Sequence, residues 1–184
     1  ERGCAELLLK RFKDETLYNH DSKEWLKYDS GVWVKDSISN ITWRSQKFLL
    51  EVFPEVARLA EGQEFRLKQL ARDESDKELE LKREASRYKK FAQSFDKTKK
   101  AITYKKTSDQ ILALLVTEED IGTATTDFDQ HPLLINLQNG CNDLEQGQFY
   151  DSDPKKRFLC QFRANYIPEA KPEKWIKFLE TIFE

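Results

Sequence analysis

At 184 residues, with 39% hydrophobic and 35% charged side chains, the chain is long enough for one domain or one domain with a small appendage, and its composition is not that of a disordered segment. A domain of this size buries about 70% of its unfolded surface. A formal net charge of −2 does not announce nucleic acid, and no apolar run approaches the ~20 residues that a membrane span requires.

The opening Glu1-Arg2-Gly3-Cys4 leads into an amphipathic segment, which is not the pattern of a signal peptide. Leu7, Leu8, Leu9 and Phe12 then predict a short helix over 6–13 with one buried face. From Thr16 to Asp36 the pattern changes to β-prone runs, Leu17-Tyr18-Asn19, Trp25-Leu26-Lys27-Tyr28 and Val32-Trp33-Val34. Asp29-Ser30-Gly31 is the turn of a hairpin spanning 14–36. Trp25 and Trp33 belong in the core of that hairpin rather than on a ligand platform.

A helical bundle is expected over 37–117. Asp36, Ser37 or Ser39 caps its first helix, and Ile41, Phe48, Leu49, Val52, Val56 and Leu59 form the inward face. Pro54 either kinks this helix or opens a new one, and Gly62 is its stop. Residues 63–84 are highly charged, and their Gln, Glu, Lys, Leu and Arg favour helix over loop. Ala85, Tyr88, Phe91, Ala92 and Phe95 make the next apolar stripe. Ser108 or Asp109 caps a further helix through Ile111, Leu112, Leu114 and Leu115, which ends in an acidic loop at 118–126.

Residues 127–167 read as a compact β element. Leu133 to Leu137 is a buried strand, Asn139-Gly140 a turn, Cys141 to Leu144 a second run, and Glu145-Gln146-Gly147 another turn. Phe158 to Arg163 is a further strand, Pro168 and Pro172 bracket a connector, and 172–184 is a last helix with Trp175, Ile176, Phe178, Leu179, Ile182 and Phe183 apolar. The fold class is therefore α+β and mostly α: a helical bundle with an N-terminal β-hairpin and a small C-terminal antiparallel β element. The missing Met and the apolar final residues lead us to expect a piece of a longer protein.

The chemistry is sparse. There is no phosphate-loop pattern and no G-x-G-x-x-G. His20 and His131 stand apart, so no metal site is expected from them. Asp127 and Asp129 could share a strand face and hold a divalent ion, or simply tighten a turn. Cys4, Cys141 and Cys160, an odd number without C-x-x-C, point to a reducing compartment and read as small core hydrophobes.

Charge is distributed unevenly. Residues 82–106 carry ten Lys or Arg against Glu84 and Asp96, whereas 107–153 carry ten acids and no Lys or Arg. On a helix, Lys82, Arg83, Arg87, Lys89 and Lys90 oppose the apolar stripe, and Lys97 and Lys100 continue the positive charge. These seven are the candidate DNA-binding residues, set against an ordinary solvated helix face. Tyr88 and Phe91 fall on the inward side of the wheel, which argues against base stacking.

Three landmarks carry a resemblance. Trp25-Leu26, Tyr28, Gly31 and Trp33 come first. Asp127-Phe128-Asp129, Leu134-Ile135-Asn136, Asn139-Gly140, Asp143-Leu144 and Gly147 follow, then Asn165-Tyr166, Pro168, Ala170, Pro172, Trp175 and Phe178-Leu179. In this order they resemble the region preceding the helicase domain of poxvirus-type and phage- or plasmid-type primase–helicases. Within it Trp25, Trp33, Asp129, Asn139, Gly140, Asp143, Leu144 and Gly147 are the structural signature.

The resemblance implies a single accessory domain, 1–184, without catalytic residues, metal or cofactor of its own. It implies a parent that is an ATP- and Mg-dependent superfamily-3 helicase of the AAA+ type, with a primase upstream, working in DNA replication in the host cytoplasm. The expected partners are single-stranded or primer-template DNA and the primase and helicase domains of the same chain, with a homo-oligomer formed through the helicase domain and no membrane. The alternatives are a protein–protein module that promotes assembly of the helicase ring, its basic block meeting the acidic one, and an independent enzyme, for which no constellation of residues is found.

Overall fold

A computed structural model describes residues 1–74 and 76–183, with the backbone alone at Asp96. Ser75, inside the 63–84 stretch expected to be helical, and Glu184, at the end of the expected last helix, lie outside the described residues. The fold is α+β and mostly α, with a helical bundle, N-terminal strands and a C-terminal antiparallel element. The chain gathers into two compact units, Glu1–Lys27 with Val34–Thr125, and Tyr28–Trp33 with Thr126–Glu184.

The first unit opens with α1 (Arg2–Phe12), which buries Cys4, Ala5, Leu8 and Phe12. Strands β1 (Thr16–Asn19) and β2 (Glu24–Asp29) pair antiparallel, with Leu17 opposite Leu26 and Tyr18 opposite Trp25. The rings of Tyr18 and Trp25 meet edge to face at 5.1 Å. β3 (Val32–Asp36) follows a two-residue loop in which Ser30 (φ 50°) and Gly31 (φ 96°) both lie in the left-handed region, the geometry that lets a tight hairpin follow the twist of its strands. The sheet order is β3-β2-β1-β4. Its last strand, β4 (Gly122–Thr123), pairs parallel with β1 and lies in a segment expected to be loop. With only two residues, β4 carries no readable periodicity.

Helix α2 (Ile38–Asp73) is capped by Ser37, whose Oγ accepts from the Asn40 amide at 3.0 Å. Beside the cap, the buried Asp36 carboxylate accepts from the Ser37 amide, the Asn40 side chain and, at 2.6 Å, the Arg44 guanidinium. The helix runs through Pro54 and past Gly62, so the expected stop at Gly62 is corrected. Gly62 faces open space, and the strong helix formers that follow outweigh its cost of about 1 kcal/mol. The inward face is also revised. Ile41, Ser45, Leu49, Phe53, Ala60 and Ala71 are buried, whereas Leu59 is 58% exposed.

Residues 63–73 are the last turns of α2, and α3 (Glu78–Ala101) returns antiparallel beside it. The buried side chains along this pair beyond Phe53 are alanines, Ala60 and Ala71 facing Ala85 and Ala92, and such small residues let two backbones approach closely. Helix α4 (Lys105–Val116) starts before the expected cap at Ser108 or Asp109. Ser108 lies within its first turns, donating to the Ile102 carbonyl at 2.7 Å and accepting from the Gln46 amide at 2.9 Å. Ile41, Leu49 and Phe53 join Leu8, Phe12, Trp25, Ile102, Ile111, Leu112, Leu115 and Ile121 in one core.

The second unit is built on a three-stranded antiparallel meander, β5 (Leu134–Leu137), β6 (Gly140–Asp143) and β7 (Gln148–Tyr150). The expected strand at 158–163 is corrected. Only a bridge between Phe162 and Leu137 forms there. The backbone of this segment is satisfied by scattered partners instead. Trp33 N donates to Phe158 O, Leu159 N to the Asp129 carboxylate, and Phe162 N to Asn136 O. Cys160 is exposed, unlike the buried Cys4 and Cys141, so it is not a core residue as the sequence suggested. The unit ends in α5 (Glu173–Phe183), an amphipathic helix with no buried residue.

Candidate nucleic-acid surface

Helix α3 positions the basic residues. Its seam against α2 takes Ala85 and Ala92, which leaves Lys82, Arg83, Arg87, Lys89, Lys90, Lys97 and Lys100 all exposed. At 3.6 residues per turn, Arg83, Arg87, Lys90 and Lys97 form one row about 21 Å long. Lys82, Lys89 and Lys100 form a second row beside it. Lys82 pairs with Glu78 one turn earlier, and among the described residues the other six make no ion pair.

Local electrostatics split the surface. Near the tip of the helical hairpin, Arg83 and Arg87 share a shallow cleft with Asp76, Glu80 and Glu84, so the field there is mixed. Farther along α3, Lys90 and Lys97 continue the first row beyond that cleft and Lys89 and Lys100 the second; at Asp96, the acid among them, the side chain is outside what is described. Within the first unit, no ion pair among the described residues joins residues 82–106 to Asp109, Glu118, Glu119 or Asp120. Glu118 instead pairs with Arg2 at 3.2 Å.

Phe91 departs from the helical-wheel expectation. It is 51% exposed, its ring set edge-on to Phe95 at 4.8 Å, while Phe95 in turn contacts Phe53 at 5.3 Å. The alanine seam is too narrow to cover a second large ring, so Phe91 stays at its margin, one turn beyond Arg87. An aromatic face is therefore available beside the cations.

The signature residues occupy a different place. Trp25 is buried in the core of the first unit, and Trp33 is buried in the second, its indole donating to the Pro154 carbonyl at 2.9 Å. Asp129 (φ 52°) accepts from Leu159 N at 3.1 Å. Asn139 clamps the backbone of Tyr166 from both sides of its amide, each bond 2.9 Å long. Asp143 accepts from the amides of Glu145 and Gln146, and Gly147 (φ 64°) closes that turn onto the Asp143 carbonyl at 2.8 Å. A Cβ at Gly140 would lie 2.3 Å from the Tyr150 carbonyl oxygen, so no larger residue fits. Leu144 is exposed, with its amide bonded to the Leu133 carbonyl. Apart from Trp25, which packs in a core, and the exposed Leu144, these groups hold backbone.

One residue that the signature omitted does most to tie the second unit together. The buried Asn136 amide donates to the Gly31 carbonyl at 3.0 Å and to the Cys160 carbonyl at 2.9 Å. A polar residue in the apolar run Leu133–Leu137 was the available signal.

The remaining candidates resolve into local roles. Asp127 pairs with Arg157 at 3.0 Å, so both acids of the Asp127–Asp129 pair are engaged by protein groups. His20 packs edge-on against Tyr18 at 5.3 Å. Among the described residues, no group of three or more His, Cys, Asp or Glu is placed to hold a metal ion, and no helix is long and apolar enough to cross a membrane.

Comparison with known proteins adds one finding. The family model described as "D5 N terminal like" matches residues 5–184, nearly the whole chain. No curated protein matches it.

Proposed function

Because the chain belongs to the D5 N-terminal-like family, the domain that precedes the helicase domain in D5-type primase–helicases, we propose that it is the non-catalytic accessory domain of a phage-, plasmid- or virus-type replicative primase–helicase. In this reading it couples the primase and helicase parts and touches single-stranded or primer-template DNA through α3. ATP and Mg2+ belong to the superfamily-3, AAA+ helicase domain of the parent, which works in the host cytoplasm.

The observation that carries the DNA contact is the exposure of all seven candidate cations on one helix, six of them without an ion pair among the described residues. Such cations release counterions when they meet phosphates. The test is fluorescence anisotropy with a labelled single strand and with a primer-template. Reversing Arg83, Arg87, Lys90 and Lys97 to Glu is expected to weaken binding more than tenfold at low salt. It should also flatten the salt dependence by about three in log–log slope. Unchanged binding by that variant removes the α3 face.

A second reading, assembly of the helicase ring, is favoured by α5. Trp175, Ile176, Phe178, Ile182 and Phe183 are each about half exposed or more. An apolar helix face of this kind suits a protein partner. Sedimentation of the chain with and without the helicase domain tests it; a monomer under both conditions removes it.

A further inference from the structure

The first unit carries another surface that combines an exposed aromatic with cations. Trp43, on the second turn of α2, is 58% exposed although it is the largest side chain of that helix. The Lys47 ammonium stands 5.1 Å from the centre of its ring. Trp43 lines an open cleft of about 320 Å³ with Ile38, Ser39, Thr42, Lys105 and Asp109.

The cleft is held in place from beneath. Gln46, one turn beyond Trp43, donates to the Ile102 carbonyl at 3.0 Å and to Ser108 Oγ at 2.9 Å. Those bonds fix the start of α4 against the start of α2. Two helix N-termini therefore flank the cleft, and their backbone dipoles favour anions. Lys105 opens α4, Lys106 follows it, and Tyr104, 68% exposed, caps it. No ion pair among the described residues engages Lys47, Lys105 or Lys106. Asp109 is the one acid lining the cleft.

We infer that this cleft between α2 and α4 is a single-strand nucleic-acid site, in which a nucleobase stacks on Trp43 while Lys47 and Lys105 take the flanking phosphates. The Trp43 ring and Ile38 make an apolar floor edged by Lys47, Lys105, the Ser39 and Thr42 hydroxyls and Asp109, which suits a ligand with a flat apolar base and a charged backbone. Stacking on an indole is tolerant of sequence, so the site grips any base. The inference shares with the proposed function only the premise that the chain meets DNA; it does not use the α3 residues.

The experiment titrates a fluorescein-labelled oligo(dT) of about twelve nucleotides against the wild type, Trp43→Ala, Trp43→Phe, Lys47→Ala, Lys105→Ala, and the variant with Arg83, Arg87, Lys90 and Lys97 reversed. Trp43→Ala is expected to weaken binding about 5- to 150-fold, with Trp43→Phe recovering most of it. Lys47→Ala and Lys105→Ala should each lower the salt slope by about 0.7. Trp43 is exposed, so circular dichroism melts should leave the alanine variant folded. Wild-type affinity in Trp43→Ala overturns the cleft whatever the α3 variant does. Loss in Trp43→Ala with full binding by the α3 variant keeps the cleft and removes the α3 face. An oligonucleotide that fails to bind the wild type overturns both. A change in the sedimentation of Trp43→Ala with its DNA binding intact overturns the cleft in favour of a protein contact.

Discussion

At Asn136, the second unit depends on a single side-chain amide. Both of its N–H groups reach carbonyls in segments far apart in the sequence, Gly31 and Cys160, inside protein rather than water. Removing a buried donor leaves its acceptors desolvated and unpaired, which costs about 1–3 kcal/mol per group. Asn136→Ala is therefore expected to lower stability by about 2–4 kcal/mol, and urea unfolding followed by tryptophan fluorescence measures it. The control is Leu144→Ala, where the side chain is exposed and the loss should stay within about 0.5 kcal/mol. The contrast also shows what sequence reading reaches. Gly140 and Gly147 announce themselves because backbone at positive φ has few compatible residues. Asn136 is marked locally only as a polar residue in an apolar run; its strand geometry is ordinary and its two partners come from other parts of the chain, so its bonds are not legible there.

Among the elements, the hairpin of α2 and α3 behaves differently from the rest of the bundle. Near the core, α2 contributes Ile41, Leu49 and Phe53 to a shared cluster; farther out, the seam is alanine on both sides. At Ala85 that seam is almost fully closed to solvent. Ala85→Leu inserts a side chain where 1% of the present one is exposed, and overpacking of this kind costs about 1–3 kcal/mol. Hydrogen exchange should show that loss in the amides of 60–92, with those of α1 and α4 unchanged; uniform loss across the unit would contradict a local seam. That a helix extends through Gly62 was hard to see in advance, because Gly marks helix ends by its conformational freedom and only tertiary packing overrides it. The charged 63–84 stretch was legible as helix through its propensity, but the end of α2 at Asp73 and the start of α3 at Glu78 within it were not. The segment 158–163 failed the opposite way. Its apolar alternation is that of a strand, but its amides are satisfied by a carboxylate and by single carbonyls.

At the scale of the whole molecule, burial gives three groups a pH response that bears on stability. Burial raises the thiol of Cys4 in the first unit and that of Cys141 in the second above the ordinary thiol value, outweighing the nearby N-terminus and Lys156 respectively. Burial, reinforced by Asp153, also raises the Tyr28 phenol. In each case the folded state favours the protonated form. The stabilisation is complete below the unfolded-state pKa and is lost as pH rises through the folded one. Stability should thus be flat near neutrality and decline from about pH 8.5 upward. Thermal melts across that range check it, and Cys4→Ala with Cys141→Ala should flatten the early part of the decline. The fold class itself was readable at this scale, from charge-rich helical runs flanked by short β-prone stretches. The parallel link between Tyr18 and Gly122 was not, since its partners lie roughly a hundred residues apart and β4 is too short to carry a pattern.

That alanine seam has one more consequence, for how the chain tolerates change in length. The two arms leave a common core and come back to it, so residues added to one arm are matched by residues added to the other, away from the core side chains of the first unit. Pairs of helical turns can be gained or lost at the tip as a carpenter shortens both legs of a trestle. The span of the hairpin is then a dimension that selection can tune without redesigning the sheet or the core from which it springs.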